Sequence, residues 1–254
     1  MNPSALLLGA LLMTAIVAAR YFAVSGGLAW LTLRRHPIAG PLPHLRAKQV
    51  RREIGWSLLA AVIYGVPAGI VGVLYLHGGT AIYDGSPHDV LGWLALPASA
   101  FAYLFAHDTW FYWTHRWMHR PAVFARVHAV HHASRPPTAW AAMSFHWTES
   151  LSGAVVVPLL ALAVPIHVGA LMAVLTIMTW NGVINHMGWE IYPRSWVAGP
   201  FGAAVITPSH HHLHHRHYRC NYGLYFRFWD RVCGTDRGWA PELLDTPRTA
   251  KECR

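Results

Sequence analysis

A chain of 254 residues could hold one or two soluble domains, but 54% hydrophobic residues, 12% charged residues and thirteen tryptophans point to lipid instead. The formal net charge of +9 raises nucleic-acid binding, yet the placement of the charges follows membrane topology. The three cysteines, Cys220, Cys233 and Cys253, are odd in number and not at metal-binding spacings, so no disulfide framework is implied.

Four apolar stretches appear in chain order, at residues 4–33, 56–77, 90–114 and 151–186. The first runs on past Arg20 and follows no basic segment, so it reads as an uncleaved span rather than a signal peptide. Arg20, near its middle, is expected to snorkel or to face other helices. Next comes a basic segment with Arg34, Arg35, Arg46, Lys48, Arg51 and Arg52, including a proline-containing linker at 37–43. Residues 1–55 thus form an N-terminal span and basic loop. The second stretch is charge-free over 56–76, and a span needs ~20 residues. Residues 77–89 hold no Lys or Arg, whereas the chain after the third stretch is again rich in arginine. This positive-inside pattern puts the N-terminus outside and the histidines on the cytosolic side.

The third helix is expected from 90 through 116 or further. Asp108 precedes His115 by seven residues and His119 by eleven, which places all three within roughly 20° of one line on a helix. Such an intramembrane carboxylate is expected to orient a ligand histidine through its second ring nitrogen. His107 lies off that line and reads as a packing or interfacial residue. The aromatic run Trp110, Phe111, Tyr112 and Trp113 reads as an interfacial belt, part of it also a substrate wall. The fourth stretch must cross an even number of times, because histidine patterns flank it. A kinked hairpin is expected, turning near Pro165 with His167 at its tip. Residues after 238 read as a polar tail, leaving 56–237 as the catalytic unit.

Fifteen of the nineteen histidines lie between His107 and His217. Eight fall into three patterns, His115xxxHis119, His128xxHis131His132 and His211xxHis214His215. Helical positions three and four apart share a face, so each pattern aims its imidazoles at one point. Eight neutral imidazoles are too many for one ion and suit a pair of first-row transition ions, iron or zinc above all. The expected fold class is an all-α integral membrane protein, with about four transmembrane elements and a cytosolic, histidine-rich helical cap around a dimetal centre.

The segments DTWFYWTHRWMHRP from Asp108, VHAVHHAS from Val127, SFHWTE from Ser144, NHMGWEIYP from Asn185, TPSHHHLHH from Thr207 and NYGLYFRFWDRVCGT from Asn221 resemble the membrane fatty acid hydroxylase and sterol desaturase superfamily. Within it the chain looks most like sterol C5-desaturases and their bacterial relatives. The resemblance implies a non-haem diiron centre that uses dioxygen to hydroxylate or desaturate an unactivated C–H bond of a lipid. Zinc is an expected substitute on overexpression. Electrons would come from an external donor of the cytochrome b5 or ferredoxin type. Carried over residue by residue, the ligands would be His115, His119, His128, His131, His132, His211, His214 and His215, with His186 as a further family histidine.

His146 and Glu149 match an FHxxE position and join Asp108 as catalytic candidates, their role left open between ligand, support of a ligand and substrate contact. His210, His212 and His217 are expected to support ligands or face solvent. Asp230 is expected to fix an arginine or a ligand histidine. Eighteen arginines against two lysines hint at a GC-rich bacterial genome, hence an inner-membrane protein. A metal transporter or storage protein would want ligands along a transmembrane path, and a zinc hydrolase would want fewer of them.

Overall fold

The structure, a computed structural model, describes residues 2–36, 39 and 42–244. Most of the expected linker at 37–43, and the tail beyond 244 with Cys253, lie outside the described residues. Helix α1 spans Pro3–Arg35, opened by Asn2, whose side chain accepts from the Ser4 N–H at 2.9 Å. Helix α2 spans Pro43–Leu76. Part of the expected basic loop is therefore helix, carrying Arg46, Lys48, Arg51 and Arg52. The physical reason is local: Pro43 occupies the first turn, where a missing N–H costs nothing, and residues 44–54 contain no Gly or Pro to end the helix.

The first two helices pack along small residues. A Cβ added at Gly65 would fall 2.2 Å from Thr14 Oγ1, and one at Gly69 would fall 2.4 Å from the Ala10 nitrogen. Only glycine permits that approach, the usual route to close helix packing where lipid supplies no hydrophobic drive. Strand β1 (Ile82–Tyr83) precedes helix α3 (Val90–Met118), which is capped by Asp89 accepting from Gly92 N–H at 2.7 Å. Short helices α4 (Pro121–Val127) and α5 (Ala129–His132) follow, then a 3-10 turn at Ala139–Met143.

The fourth apolar stretch is a hairpin. Helices α6 (Trp147–Ala154) and α7 (Val156–Ala163) run away from the histidines, strand β2 (Ile166–His167) turns the chain, and α8 (Val168–Ile184) returns. The turn holds Pro165, and His167 sits at the tip, accepting from Gly169 N–H at 3.0 Å. β1 and β2 pair in parallel, Ile82 with Ile166 and Tyr83 with His167, tying the far end of the bundle. The returning arm has 17 residues, about 25 Å of helix.

Among the described residues, α1, α2 and α3 are long and apolar enough to cross a membrane. With the histidine cluster at one end, the protein is a helical membrane protein. The histidine end is closed by α9 (Arg194–Val197), α10 (Pro200–Ala204), α11 (Pro208–His217) and α12 (Phe228–Val232). The polar tail starts later than the sequence suggests: Ala240 and Leu243 are buried, and Ala240 N–H donates to Ser209 O. Two apolar clusters clamp the hairpin. Leu28 of α1 packs with Ala142, Val183 and Ile184, while Tyr103 and Leu104 of α3 pack with Ile166, Leu171 and Val174.

Candidate metal centre

Nine histidines from four segments converge at this end, in two groups. His115, His119, His128, His132 and His214 form one; His131, His186, His211 and His215 form the other, with all ligand atoms of a group within 4.8 Å of one another. The groups adjoin, ring centroids of His132 and His215 being 4.6 Å apart. Among the described residues both groups are histidine alone.

The chain delivers these rings by simple means. His115 and His119 are one helical turn apart where α3 ends, and His128, His131 and His132 ride the α4–α5 corner. His211, His214 and His215 share a face of α11. Helix α11 is pinned at its start by a capping box between Thr207 and His210 and by Glu190, whose Oε2 accepts from Thr207 Oγ1 and from Ser209 N–H.

Every ring points its Nε2 inward. In the first group His115 meets His128 at 3.0 Å and His119 at 3.3 Å, and His214 meets His119 at 3.1 Å and His132 at 3.2 Å. In the second, His186 meets His131 at 3.1 Å and His211 at 3.1 Å, and His215 meets His211 at 3.1 Å. The outer nitrogens say which tautomer is present. His115 Nδ1 donates to Tyr222 O at 2.8 Å, His214 Nδ1 to Cys220 O at 2.8 Å and His186 Nδ1 to Gly182 O at 2.6 Å. Their Nε2 atoms are therefore bare lone pairs.

Burial, reinforced by neighbouring imidazoles, holds His131, His132, His211, His214 and His215 well below the usual histidine range, and pushes His119 down to about 2. Neutral lone pairs facing each other at such range repel unless a cation lies between them. Metal–nitrogen bonds of ~2.1 Å at tetrahedral to octahedral angles put neighbouring nitrogens ~3.0–3.4 Å apart. The donor set fits two transition ions.

The carboxylates play other parts than the sequence suggested. Asp108 orients no histidine directly. It is fully buried, and its Oδ1 accepts from the backbone N–H groups of Leu224 and Tyr225 at 2.9 and 2.7 Å. After the left-handed turn at Asn221 the chain passes against α3, so the main-chain donors of Leu224 and Tyr225 take up Asp108. Asp230 does the same for the preceding pair, taking Tyr222 and Gly223 N–H at 2.8 Å each, and among the described residues it fixes neither an arginine nor a histidine. The two acids thus grip one strap, whose Tyr222 carbonyl holds His115.

Glu149 lies against the first group, Oε1 2.8 Å from His128 Nδ1. His146 is outside both groups, its Nδ1 2.7 Å from Thr148 Oγ1 and its ring 5.8 Å from that of Trp56. His107 is buried beside Tyr225. Of the aromatic run, Trp110 and Trp113 are exposed, while Tyr112 is fully buried on Thr235 and belongs to the core rather than to a belt. His210 is a buried cap, and His217 is exposed. Sequence reasoning missed the carbonyls of Gly182, Cys220 and Tyr222, which carry no side-chain signal, and the role of Glu190, which is 17 residues from the Thr207 it bonds.

A cavity of about 500 Å³ opens on the histidines and runs between the helices toward β1. His115, His128, His131, His186 and His211 line one end, and Val71, Gly72, Ile82 and Val168 the other. Its walls are overwhelmingly apolar, and its size is that of a small-molecule site, typically ~300–1,000 Å³.

Comparison with known proteins agrees with this geometry. Lathosterol oxidase of Mus musculus is 28% identical over 193 residues, 76% of this chain and 63% of that protein. A Delta(7)-sterol 5(6)-desaturase of Gibberella zeae is 28% identical over 201 residues, covering 79% and 60%. One from Aspergillus fumigatus is 30% identical over 210 residues, covering 80% and 58%. The chain thus spans about 60% of the length of these relatives. No solved structure matches it. Residues 100–235, which hold all nine clustered histidines, match the family model described as fatty acid hydroxylase, and the chain belongs to that family.

Proposed function

We propose that the protein is a membrane oxidoreductase that uses dioxygen and two histidine-held iron ions to hydroxylate or desaturate an unactivated C–H bond of a lipid. The observation that carries this reading is the convergence of nine inward-facing Nε2 atoms at the end of an apolar cavity that five of the rings line. Iron bound there would supply the oxygen activation, which the side chains of the protein cannot perform themselves. The nine rings would hold it, the five-member group by His115, His119, His128, His132 and His214 and the four-member group by His131, His186, His211 and His215.

The chain's own contribution is placement. Glu149 and the carbonyls of Gly182, Cys220 and Tyr222 hold four of the rings with Nδ1 outward. Apolar walls exclude water and align a hydrocarbon with its reacting carbon toward the rings. Hydroxylation consumes one dioxygen, two electrons and two protons and releases one water; desaturation consumes the same and releases two. The electrons come from a separate reductase chain of the cytochrome b5 or ferredoxin type. Both outcomes begin with removal of one hydrogen atom.

The histidine end faces the cytosol of a bacterial inner membrane in this reading, supported by the arginines and lysine that gather there, among them Arg46, Lys48, Arg51, Arg52, Arg116 and Arg120. The test is metal analysis of the purified protein together with lipid product analysis under air and under nitrogen. Two irons and an oxygen-dependent product are expected. Iron-free protein that stays active, or a product formed equally without oxygen, overturns the reading.

A further inference from the structure

One charged group of the bundle has no place in the chemistry above. Arg20 stands within the apolar helix α1, and it lines the same cavity as the histidines. Among the described residues it is the only Arg or Lys of that lining. Among the described residues no carboxylate pairs with it and no hydrogen bond from it is found. Tyr64 lines the cavity too, its hydroxyl turned toward Gly153, where an added Cβ would meet it at 2.1 Å.

A guanidinium keeps its charge under all ordinary conditions and presents five N–H donors in a planar fork suited to a carboxylate. A cation inside a lipid-embedded bundle is expensive and is normally matched by a partner or a ligand. The axial position is fixed by packing: Leu28 lies against Val183 and Ile184, just before His186. Arg20 is eight residues earlier on α1, about 12 Å farther from the histidines. An oxyanion held at Arg20 would leave the hydrocarbon of the same molecule to extend to the rings, with the reacting carbon on the order of 10 Å from the head group.

We propose that Arg20 is the head-group site of the substrate cavity and that the natural substrate is a lipid carboxylate, its acid group bound at Arg20 and its hydrocarbon directed at the histidines. This rests on the reading of the cavity as the substrate site and names the class of molecule it takes. Two skeletons offer this chemistry, a straight-chain fatty acid and a steroid acid.

The full chain, iron-loaded in lipid nanodiscs, is titrated with palmitate, hexadecanol, a steroid carboxylate and the matching steroid alcohol, binding being read without turnover. At least one acid should bind tenfold or more tightly than its alcohol, and the preferred pair identifies the skeleton. Arg20→Gln should abolish the acid preference while leaving alcohol binding and iron content unchanged. If that variant does not retain iron, Arg20→Lys decides: it should keep the acid preference but lose threefold or more in affinity for the acid, because the ammonium lacks the fork. Acid and alcohol binding alike, no binding of either acid, or acid affinity untouched by the substitution overturns the proposal. Iron content and oxygen uptake measured on the same preparations report on the oxidase reading separately, so either can fail alone.

Discussion

The two histidine groups are built differently. The five-member group is anchored largely by the segment after α11: His115 and His214 hang on the carbonyls of Tyr222 and Cys220, while His128 lies against Glu149 of α6 and His119 is only half-buried. The four-member group is wholly buried and takes its one carbonyl anchor from Gly182 on α8; both groups reach the cavity, this one through His131, His186 and His211 and the other through His115 and His128. One group is thus assembled by a strap that two aspartates hold in place, the other by helix packing. The difference teaches which perturbations each should survive.

Removing a ring should break the comparison most sharply. The four-member group has no ligand to spare, so His211→Ala should lose one of two irons and at least ~100-fold in lipid oxidation, beyond the upper end of what loss of a supporting residue does. His119→Ala leaves four rings in its group and should retain both irons at reduced affinity. Metal analysis of the two variants side by side checks this; equal losses would mean that the groups do not differ in redundancy.

Glu149→Gln acts through His128 and keeps shape and volume. It should weaken metal in the five-member group by ~10–100-fold and leave the other group unchanged. Chelator titration, following release of the first and second iron, separates the two. Release of both ions together would show that the groups are not independent.

Much of this was legible in the sequence for a physical reason. The histidine spacings are helical, so convergence within each pattern followed from periodicity, and the hairpin followed from the demand that two patterns end on one side. Pro165 marked its turn. What the sequence hid was backbone chemistry. Asp108 lies on the line of His115 and His119 on α3, so it read as their partner, but the strap at 222–225 brings unpaired N–H groups closer. A carbonyl acceptor such as Tyr222 O is a property of a fold and not of a residue type. The start of α2 was hidden in the same way, because charge argued for a loop while local propensity allowed helix.

The strap itself gives a smaller effect. Asp230 accepts from two backbone N–H groups and from Thr235 Oγ1 at 2.7 Å while fully buried. Asp230→Asn should cost about 1.5–3 kcal/mol of stability, the range for hydrogen bonds to charged groups. It should loosen the five-member group before the other. Denaturation in detergent gives the first number and chelator release the second; an unchanged order of release would deny the strap its role.

The smallest effect concerns acid. Burial alone would raise the Asp236 carboxyl, but bonds from Arg227, the Gly238 N–H and Arg231 outweigh it and hold the group below the usual carboxylate value of 3.8. Arg227 Nη2 reaches both oxygens at 2.6 Å. A carboxylate with a depressed folded pKa contributes stability that is fully present above its unfolded value and is lost as pH falls through the folded one. The window is therefore below about pH 4. Arg231 is half-exposed, so water screens part of the attraction and the contribution is about 1 kcal/mol. Asp236 also receives the turn after α12, from which Asn221 and the strap are positioned, so its protonation should be felt first by His115 and His214. Asp236→Asn should be less stable than the natural protein at pH 7 and should lose less between pH 5 and pH 3, since the group that titrates is gone. Parallel acid and neutral melts of metal-free protein read the difference, and identical slopes for the two proteins would assign the acid sensitivity elsewhere.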